Sequence, residues 1–320
     1  MTPEQLALRD AVRGLLDKHS DVRAAIETPR GYDEDLWGRL CGIGVLPIPE
    51  RYGGSGAGLP ETHVALGELG RTLTPAPLLS STLAARALLA TGDEDACGRL
   101  LPRIADGVVA ALVWPWDNRE TTVDGTARYV LDGDLAEILL LADGVSLYEI
   151  DLGEPGVTRE HTPAMDPTRR LATVHLAGAT ATRLGPWSPE VRDIALAALS
   201  AEQVGAAARA LELTVEHTKT RVQFGRPIGS FQALKHRMAD LHVLVETARS
   251  AALAATGEVA AAVAKVYCSE AFFQVAAEMV QLHGGIAITW EHDAHLYLKR
   301  AHGSAQLFGS PRDHLRRLSP

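Results

Sequence analysis

Two stretches concentrate the side chains with chemical potential. Residues 221–232 read Arg-Val-Gln-Phe-Gly-Arg-Pro-Ile-Gly-Ser-Phe-Gln, with alanine-rich helical pattern on either side. Gly225, Pro227 and Gly229 suit a tight reversal between antiparallel helices, because proline fixes φ and glycine permits positive φ. The guanidinium, amide and aromatic side chains on that reversal are then free to meet a ligand; the plainer alternative is that Arg221 and Gln232 cap helix ends. The second stretch is Leu-Ser-Ala-Glu-Gln-Val-Gly-Ala-Ala, where Glu202 is an acid on an otherwise apolar, small-residue surface. Burial there would either raise its pKa to a value suited to proton abstraction or pair it with an arginine for structure.

Other candidates are weaker. His292 and His295, three residues apart, could ligate a metal from one helical face, but no further ligand set accompanies them, so surface or packing roles are expected. His283 is expected to pack at a turn, and Glu291 to cap the last long helix. The loop Ile-Pro-Glu-Arg-Tyr-Gly-Gly-Ser-Gly-Ala-Gly has glycines that could cradle a phosphate, but it lacks the Lys-Ser/Thr ending of a Walker loop and reads as a turn. Cys41, Cys97 and Cys268 are far apart with no CxxC spacing, which suggests neither a disulfide framework nor a zinc site and makes reduced cytosol the default.

The elements that must position these residues fall into three blocks. Residues 1–107 read as helices, opening on a Thr N-cap with proline at the first helical position, Glu and Gln behind it, and Leu6, Val12, Leu15 and Leu16 on one face. Residues 108–188 change period: Val-Val-Ala-Ala-Leu-Val-Trp, Ala-Arg-Tyr-Val-Leu, Glu-Ile-Leu-Leu-Leu-Ala-Asp and three further short runs, bounded by Gly, Asp and Pro, read as strands of a small sheet. Residues 189–320 return to helix, with long segments at 191–222, 230–256, 258–282 and 291–308 joined by short turns, as in an antiparallel bundle. The fold class is therefore mostly α with a small central β domain.

Composition narrows the partners. A net charge of −9 disfavours nucleic acid or an anionic membrane surface, although a local basic patch could still bind a phosphorylated small molecule. The N-terminus is charged and amphipathic rather than a signal peptide, and no uninterrupted apolar run approaches the ~18–20 residues of a bilayer span.

This block order and three motifs resemble the acyl-CoA dehydrogenase family, flavoenzymes with an N-terminal helical domain, a central β domain and a C-terminal four-helix bundle. Residues 221–232 are similar to the family's Arg-x-x-Phe-Gly-x-x-Ile-x-x-Phe-Gln turn. The segment Gln-Leu-His-Gly-Gly-Ile-Ala is similar to its Gln-x-x-Gly-Gly-x-Gly, and Pro-Glu-Arg-Tyr-Gly-Gly-Ser-Gly to its Pro-Glu-x-Tyr-Gly-Gly-x-Gly. The resemblance implies that Arg221, Gln223, Phe224, Ile228, Phe231 and Gln232 hold the pyrophosphate and adenine end of FAD, and that Gln281, Leu282, Gly284 and Gly285 bring backbone close to the same ADP moiety. In the family this motif serves a flavin seated mainly in a neighbouring subunit, which implies an oligomer.

The chain departs from that pattern where chemistry occurs. The family's Thr-Glu-Pro-Gly-x-Gly-Ser-Asp segment corresponds to Trp-Pro-Trp-Asp-Asn-Arg-Glu-Thr-Thr-Val-Asp-Gly here. Its Trp-Ile-Thr-Asn-Gly corresponds to Tyr-Val-Leu-Asp-Gly, which puts Leu131 where a hydroxyl should contact the flavin ring. Phe308 stands at the usual catalytic glutamate and Ala195 at the alternative one. Glu202 lies two turns beyond Ala195 on the same helix face, whereas Asp193 is off it. The resemblance thus implies a degenerate subunit of a heteromeric acyl-CoA dehydrogenase, in which a full-length partner supplies the base and most of the FAD site, as in actinobacterial complexes acting on steroid or other bulky CoA thioesters. The alternative is the same scaffold reused in biosynthesis, as a flavin-independent catalyst or a binding subunit. A homo-oligomer using Glu202 as its base is a third arrangement.

Overall fold

The computed structural model describes residues 1–116 and 122–318. Helix α1 (Pro3–His19) starts on a complete capping box: the Thr2 side chain accepts from the Gln5 N–H and the Gln5 side chain reaches back to the Thr2 N–H. Val12 and Leu16 of its expected apolar face are buried, whereas Leu6 lies at the surface. Helices α2 (Val22–Glu27), α3 (Glu34–Ile43), α4 (Leu59–Thr72), α5 (Leu78–Thr91) and α6 (Glu94–Ala105) complete the first block. The glycine-rich loop between α3 and α4 closes on itself, since a Cβ on Gly54 would sit 2.0 Å from the Ile48 carbonyl oxygen. It is a turn, as expected.

The β block forms two sheets. Strands β1 (Ala110–Val113), β3 (Ile138–Ala142), β4 (Ser146–Ile150) and β7 (Ala181–Pro186) make the first in that order, with β1 and β3 parallel. Strands β2 (Gly125–Leu131), β6 (Leu171–Leu176) and β5 (Val157–His161) make the second, antiparallel throughout. One face of β1 and β3 (Ala111, Val113, Leu139, Leu141) packs with Val174 and Leu176 of the second sheet, and the other (Ala110, Leu112, Ile138, Leu140) joins the core of the N-terminal helices. Burial on both faces explains why these strands read as unbroken apolar runs. Strand β7 was not expected: Ala-Thr-Arg-Leu-Gly-Pro has no such run, and its Gly-Pro end suits an edge position.

The bundle consists of α7 (Glu190–Thr220), α8 (Gln232–Leu253), α9 (Gly257–His283) and α10 (Ala294–Gln306), followed by α11 (Pro311–Leu318). By length and composition α7 and α9 would each span a bilayer, a correction to the reading from uninterrupted runs, because alanine raises the mean hydropathy. They are core helices instead: 89% of the most apolar α7 window and 56% of that in α9 are buried inside the protein. Glu291 does not cap α10, which begins at Ala294 after Asp293, a residue whose carboxylate pairs with Arg23 at 2.6 Å.

Helices α4 and α7 cross at backbone contact. A Cβ on Gly205 would lie 1.9 Å from the Gly67 carbonyl oxygen, and one on Gly70 would lie 2.1 Å from that of Glu202. Gly205→Val is therefore expected to cost about 3 kcal/mol and lower the unfolding midpoint by roughly 4–5 °C. Gly38→Ala, in α3 with open space around its Cβ, is expected to be neutral or stabilising in the same melting experiment.

Candidate functional site

At the end of α7 the chain turns through a two-strand hairpin, β8 (Val222–Gln223) and β9 (Arg226–Pro227). Its central residues Phe224 and Gly225 have φ of 52° and 77°, both left-handed, as a two-residue hairpin turn requires. That Phe224 itself adopts positive φ was not foreseen. Gly229 is needed for a different reason than expected: its φ is not positive, but a Cβ there would lie 2.9 Å from the Thr218 carbonyl oxygen. The hairpin stands clear of the body, with Phe224 92% exposed and Arg221, Gln223 and Gln232 also exposed. Phe231, edge-on to Phe224, carries the Arg226 guanidinium 4.0 Å from its ring centroid, and Ile228 ties back through its N–H to the Arg221 carbonyl at 2.8 Å.

The helix-capping alternative is not what the side chains do. The Arg221 guanidinium has no hydrogen-bond partner among the described residues. Gln232 bonds His236 at 2.9 Å, and α8 begins with no side-chain cap. On the neighbouring helix end Gln281 is exposed, Leu282 buried, and nothing lies within 4 Å of a Cβ built on Gly284 or Gly285. His283, buried as expected, stacks on His217 of α7 and so fixes the two segments at one end of the bundle. An exposed guanidinium, free amides and an open glycine pair fit the phosphates and base of a nucleotide.

The residues that the family resemblance assigns to a flavin-ring site are packed against one another. Trp114 packs against Phe308 at 5.4 Å and Trp187 at 6.1 Å, and Trp116 meets Phe308 edge-on at 6.4 Å. Only about 20 Å³ remains between these rings, Ser80, Leu83 and Leu131, enough for about one water. Leu131 is buried and offers no hydrogen bond to a ligand. Residues 117–121 of the shortened loop lie outside the described residues. The chain's own residues thus fit the nucleotide half of a dinucleotide and not its ring half.

Neither base position holds a base. Ala195 is buried in α7, and Phe308 takes φ of 61° in a loop whose carbonyl at Phe308 accepts from His314 Nε2 at 3.0 Å. Ahead of that loop Lys265, fully buried, donates to the carbonyls of Ser304 and Ala305 at 2.9 Å each and to Ser269 Oγ at 3.0 Å. Burial pushes the Lys265 ammonium down to about 7.

Glu202 is consumed by pairing. Its Oε1 accepts from Arg169 Nη2 and, at 3.2 Å, from Arg300 Nη1. Arg300 also donates to the Thr168 carbonyl at 2.9 Å and lies 3.4 Å from the Asp166 carboxylate. The turn containing Asp166 and Arg169 is thereby bolted to α7 and α10, and desolvation lowers the Arg169 guanidinium from its ordinary value.

Asp132 is one residue the sequence does not reveal, because an aspartate before glycine after a strand looks like turn chemistry. Its carboxylate is buried, accepts from Ser80 Oγ at 2.5 Å, and is pushed up to about 6 by desolvation, against the Ser80 hydrogen bond and Arg169. His292 and His295 pack against His283 and Trp290 respectively, and no group of three or more His, Cys, Asp or Glu among the described residues is placed to hold a metal.

The profile for the acyl-CoA dehydrogenase N-terminal domain matches residues 2–108, and that for the C-terminal domain matches residues 196–316. Acyl-CoA dehydrogenase IpdE2 of Mycolicibacterium smegmatis is 48% identical over 327 residues, covering 99% of this chain and 98% of the relative. Among solved structures, the ChsE4-ChsE5 complex from Mycobacterium tuberculosis matches with a TM-score of 0.88 at 26% identity, covering 99% of this chain and 96% of that one. A Tcur3481-Tcur3483 steroid ACAD variant matches with a TM-score of 0.86 at 29% identity, over 98% and 96% of the two chains.

Two variants separate structure from chemistry. Glu202→Gln leaves two buried guanidinium groups short of their counter-charge and is expected to cost about 3–5 kcal/mol in urea unfolding; a base without structural duty would leave the midpoint at the wild-type value. Asp132→Asn keeps the Ser80 hydrogen bond without the charge. An ordinary Asp carboxyl titrates near 3.8, so the folded protein holds this proton where the unfolded chain does not. The stability it contributes is complete below 3.8 and lost as pH rises through about 6. Asp132→Asn is therefore expected to raise stability at pH 8 by about 3 kcal/mol and to change little at pH 4.

Proposed function

The chain belongs to the acyl-CoA dehydrogenase family, a family of FAD-dependent oxidoreductases, and from that premise we propose that it is the flavin-completing, non-basic subunit of a heteromeric enzyme. The observation carrying this reading is the contrast between two ends of one expected cofactor: an open nucleotide cradle at Arg221 and Gly284–Gly285, and a ring site filled by Trp114, Phe308 and Leu131.

In this reading Arg221, Gln223 and Gln232 extend from the hairpin to the pyrophosphate and adenine of FAD seated in a partner, with Phe224, Ile228 and Phe231 against the base. Gln281, Leu282, Gly284 and Gly285 close on the same ADP moiety through backbone. When bound, FAD supplies the hydride acceptor for oxidation of the Cα–Cβ bond of an acyl thioester. A carboxylate must take the α proton, and since Phe308, Ala195 and the paired Glu202 cannot, the partner provides it. The aromatic plug keeps substrate out of this chain's own cleft, so the assembly has fewer catalytic sites than subunits. The two-component relatives and the steroid substrate named for one of them support a full-length acyl-CoA dehydrogenase as partner, in a heterotetramer, and a steroid-derived or similarly bulky CoA thioester as substrate.

The chain purified alone is expected to carry no stoichiometric flavin, and the complex with its partner one FAD per heterodimer by absorbance and native mass spectrometry. Arg221→Ala should lower that occupancy without dissociating the subunits. A yellow homo-oligomer with ordinary dehydrogenase turnover would overturn the proposal, and full flavin in the Arg221→Ala complex would favour reuse of this chain as a binding subunit that does not hold the flavin.

A further inference from the structure

Three imidazoles adjoin at the end of the bundle that carries Arg221 and Gly284, one pair stacked and the other tilted. His217 lies in the last turn of α7, four residues before Arg221; His283 is the last residue of α9, directly before Gly284; His292 is in the turn leading to α10. The His217 and His283 centroids are 4.2 Å apart with ring planes 27° from parallel, and His283 and His292 are 4.6 Å apart. The column joins the segments that carry Arg221 and Gln281–Gly285. Its link to Arg221 is direct, since the His217 carbonyl accepts the Arg221 backbone N–H at 2.9 Å.

The hydrogen bonds set the protonation of the rings. His283 Nδ1 meets the Met279 carbonyl at 2.7 Å, and a carbonyl only accepts, so Nδ1 carries the proton. His292 Nδ1 accepts the Ala294 N–H at 3.1 Å, and His217 Nε2 is buried without a partner. The charges around the column offer no relief to a proton added to His217 or His283. Arg221 and His292 both disfavour a proton on His217, as His217 and His292 do on His283, while His292 is flanked in the chain by Glu291 and Asp293 and lies near His295. From α10 and the turn before it, Asp293 is committed to Arg23, and Lys299 lies over Trp290. From α8 and α9, Arg237 and Glu278 pair with each other at 2.6 Å. The C-terminal turns of α7 and α9 would favour imidazolium through the helix dipole, but burial outweighs this. It lowers His217 and takes His283 down to about 4.

We propose that the column is a pH-sensitive clip: neutral, it holds the Arg221 hairpin and the Gly284–Gly285 turn together in nucleotide-binding geometry, and protonated, it forces the two helix ends apart. The clip rests on the assignment of these segments to a nucleotide. Once the cradle opens, an exposed histidine titrates near 6.5. The closed form is therefore complete above that pH and is lost as pH falls from 6.5 towards 4, by up to tenfold per unit for each proton taken up.

The test uses the full chain and ADP. Calorimetric affinity is expected to fall about tenfold between pH 7.5 and pH 5.5, and a His217→Phe, His283→Phe double variant, which keeps stacked rings without titration, should bind equally at both. A wild type with no loss, or a double variant with the same loss, overturns the clip. If ADP binds at neither pH, the nucleotide assignment falls and the clip is decided separately by amide hydrogen exchange in the wild type. Protection at Gly284 and Gly285, corrected for the intrinsic pH dependence of exchange, should drop at pH 5.5, and unchanged protection overturns it. The same wild-type measurement decides if the double variant does not fold.

Discussion

The buried pairing of Glu202 with Arg169 and Arg300 is the constraint on which the architecture turns. Each partner comes from a different part of the chain: Glu202 from the middle of α7, Arg169 from the turn before β6, Arg300 from α10. Two guanidinium groups share one carboxylate oxygen, with Asp166 and the Thr168 carbonyl taking the remainder of Arg300. Such a cluster has no tolerance for loss of a member, because the charges left behind stay desolvated. It also sits where α4 touches α7 backbone to backbone, so the helical block, the β block and the bundle are aligned through one point. An acid that appeared available for proton transfer is thereby a structural pin.

That alignment fixes what the two halves of a dinucleotide site can be. With α7 pinned, its C-terminal end carries the hairpin outward, while its N-terminal half walls the cleft that Trp114, Trp187 and Phe308 occupy. The same helix carries an exposed hairpin at one end and walls a packed aromatic core at the other. The proposed heteromeric arrangement rests on this contrast between the two ends of α7.

Much of this was legible before any coordinates, and the exceptions have identifiable causes. The hairpin was marked by Gly225 and Pro227, whose backbone requirements are local. Strand β7 escaped because an edge strand with Gly-Pro at its end carries no apolar signature. The tertiary reason for Gly229, a close carbonyl on α7, leaves no trace in local sequence. Asp132 and Lys265 were missed because a polar residue beside a glycine, or among alanines on a helix, reads as exposed. Only packing reveals that Ser80 meets one and the end of α10 the other. Glu291 was misplaced because the helix starts three residues later than its polar cluster suggested.

The loop that carries Phe308 is held by several contacts at once. Here Phe308 is held with positive φ, a conformation that costs a bulky residue free energy and persists only where the surroundings over-determine it. Those surroundings are explicit: His314 grips the Phe308 carbonyl, and Lys265, fully buried with no ion-pair partner among the described residues, holds the last carbonyls of α10. Burying that lysine is itself unfavourable, as its lowered pKa records. Two destabilising features converging on one loop are retained together only if the position of the ring at its tip matters, and that ring completes the aromatic contact that shuts the cleft.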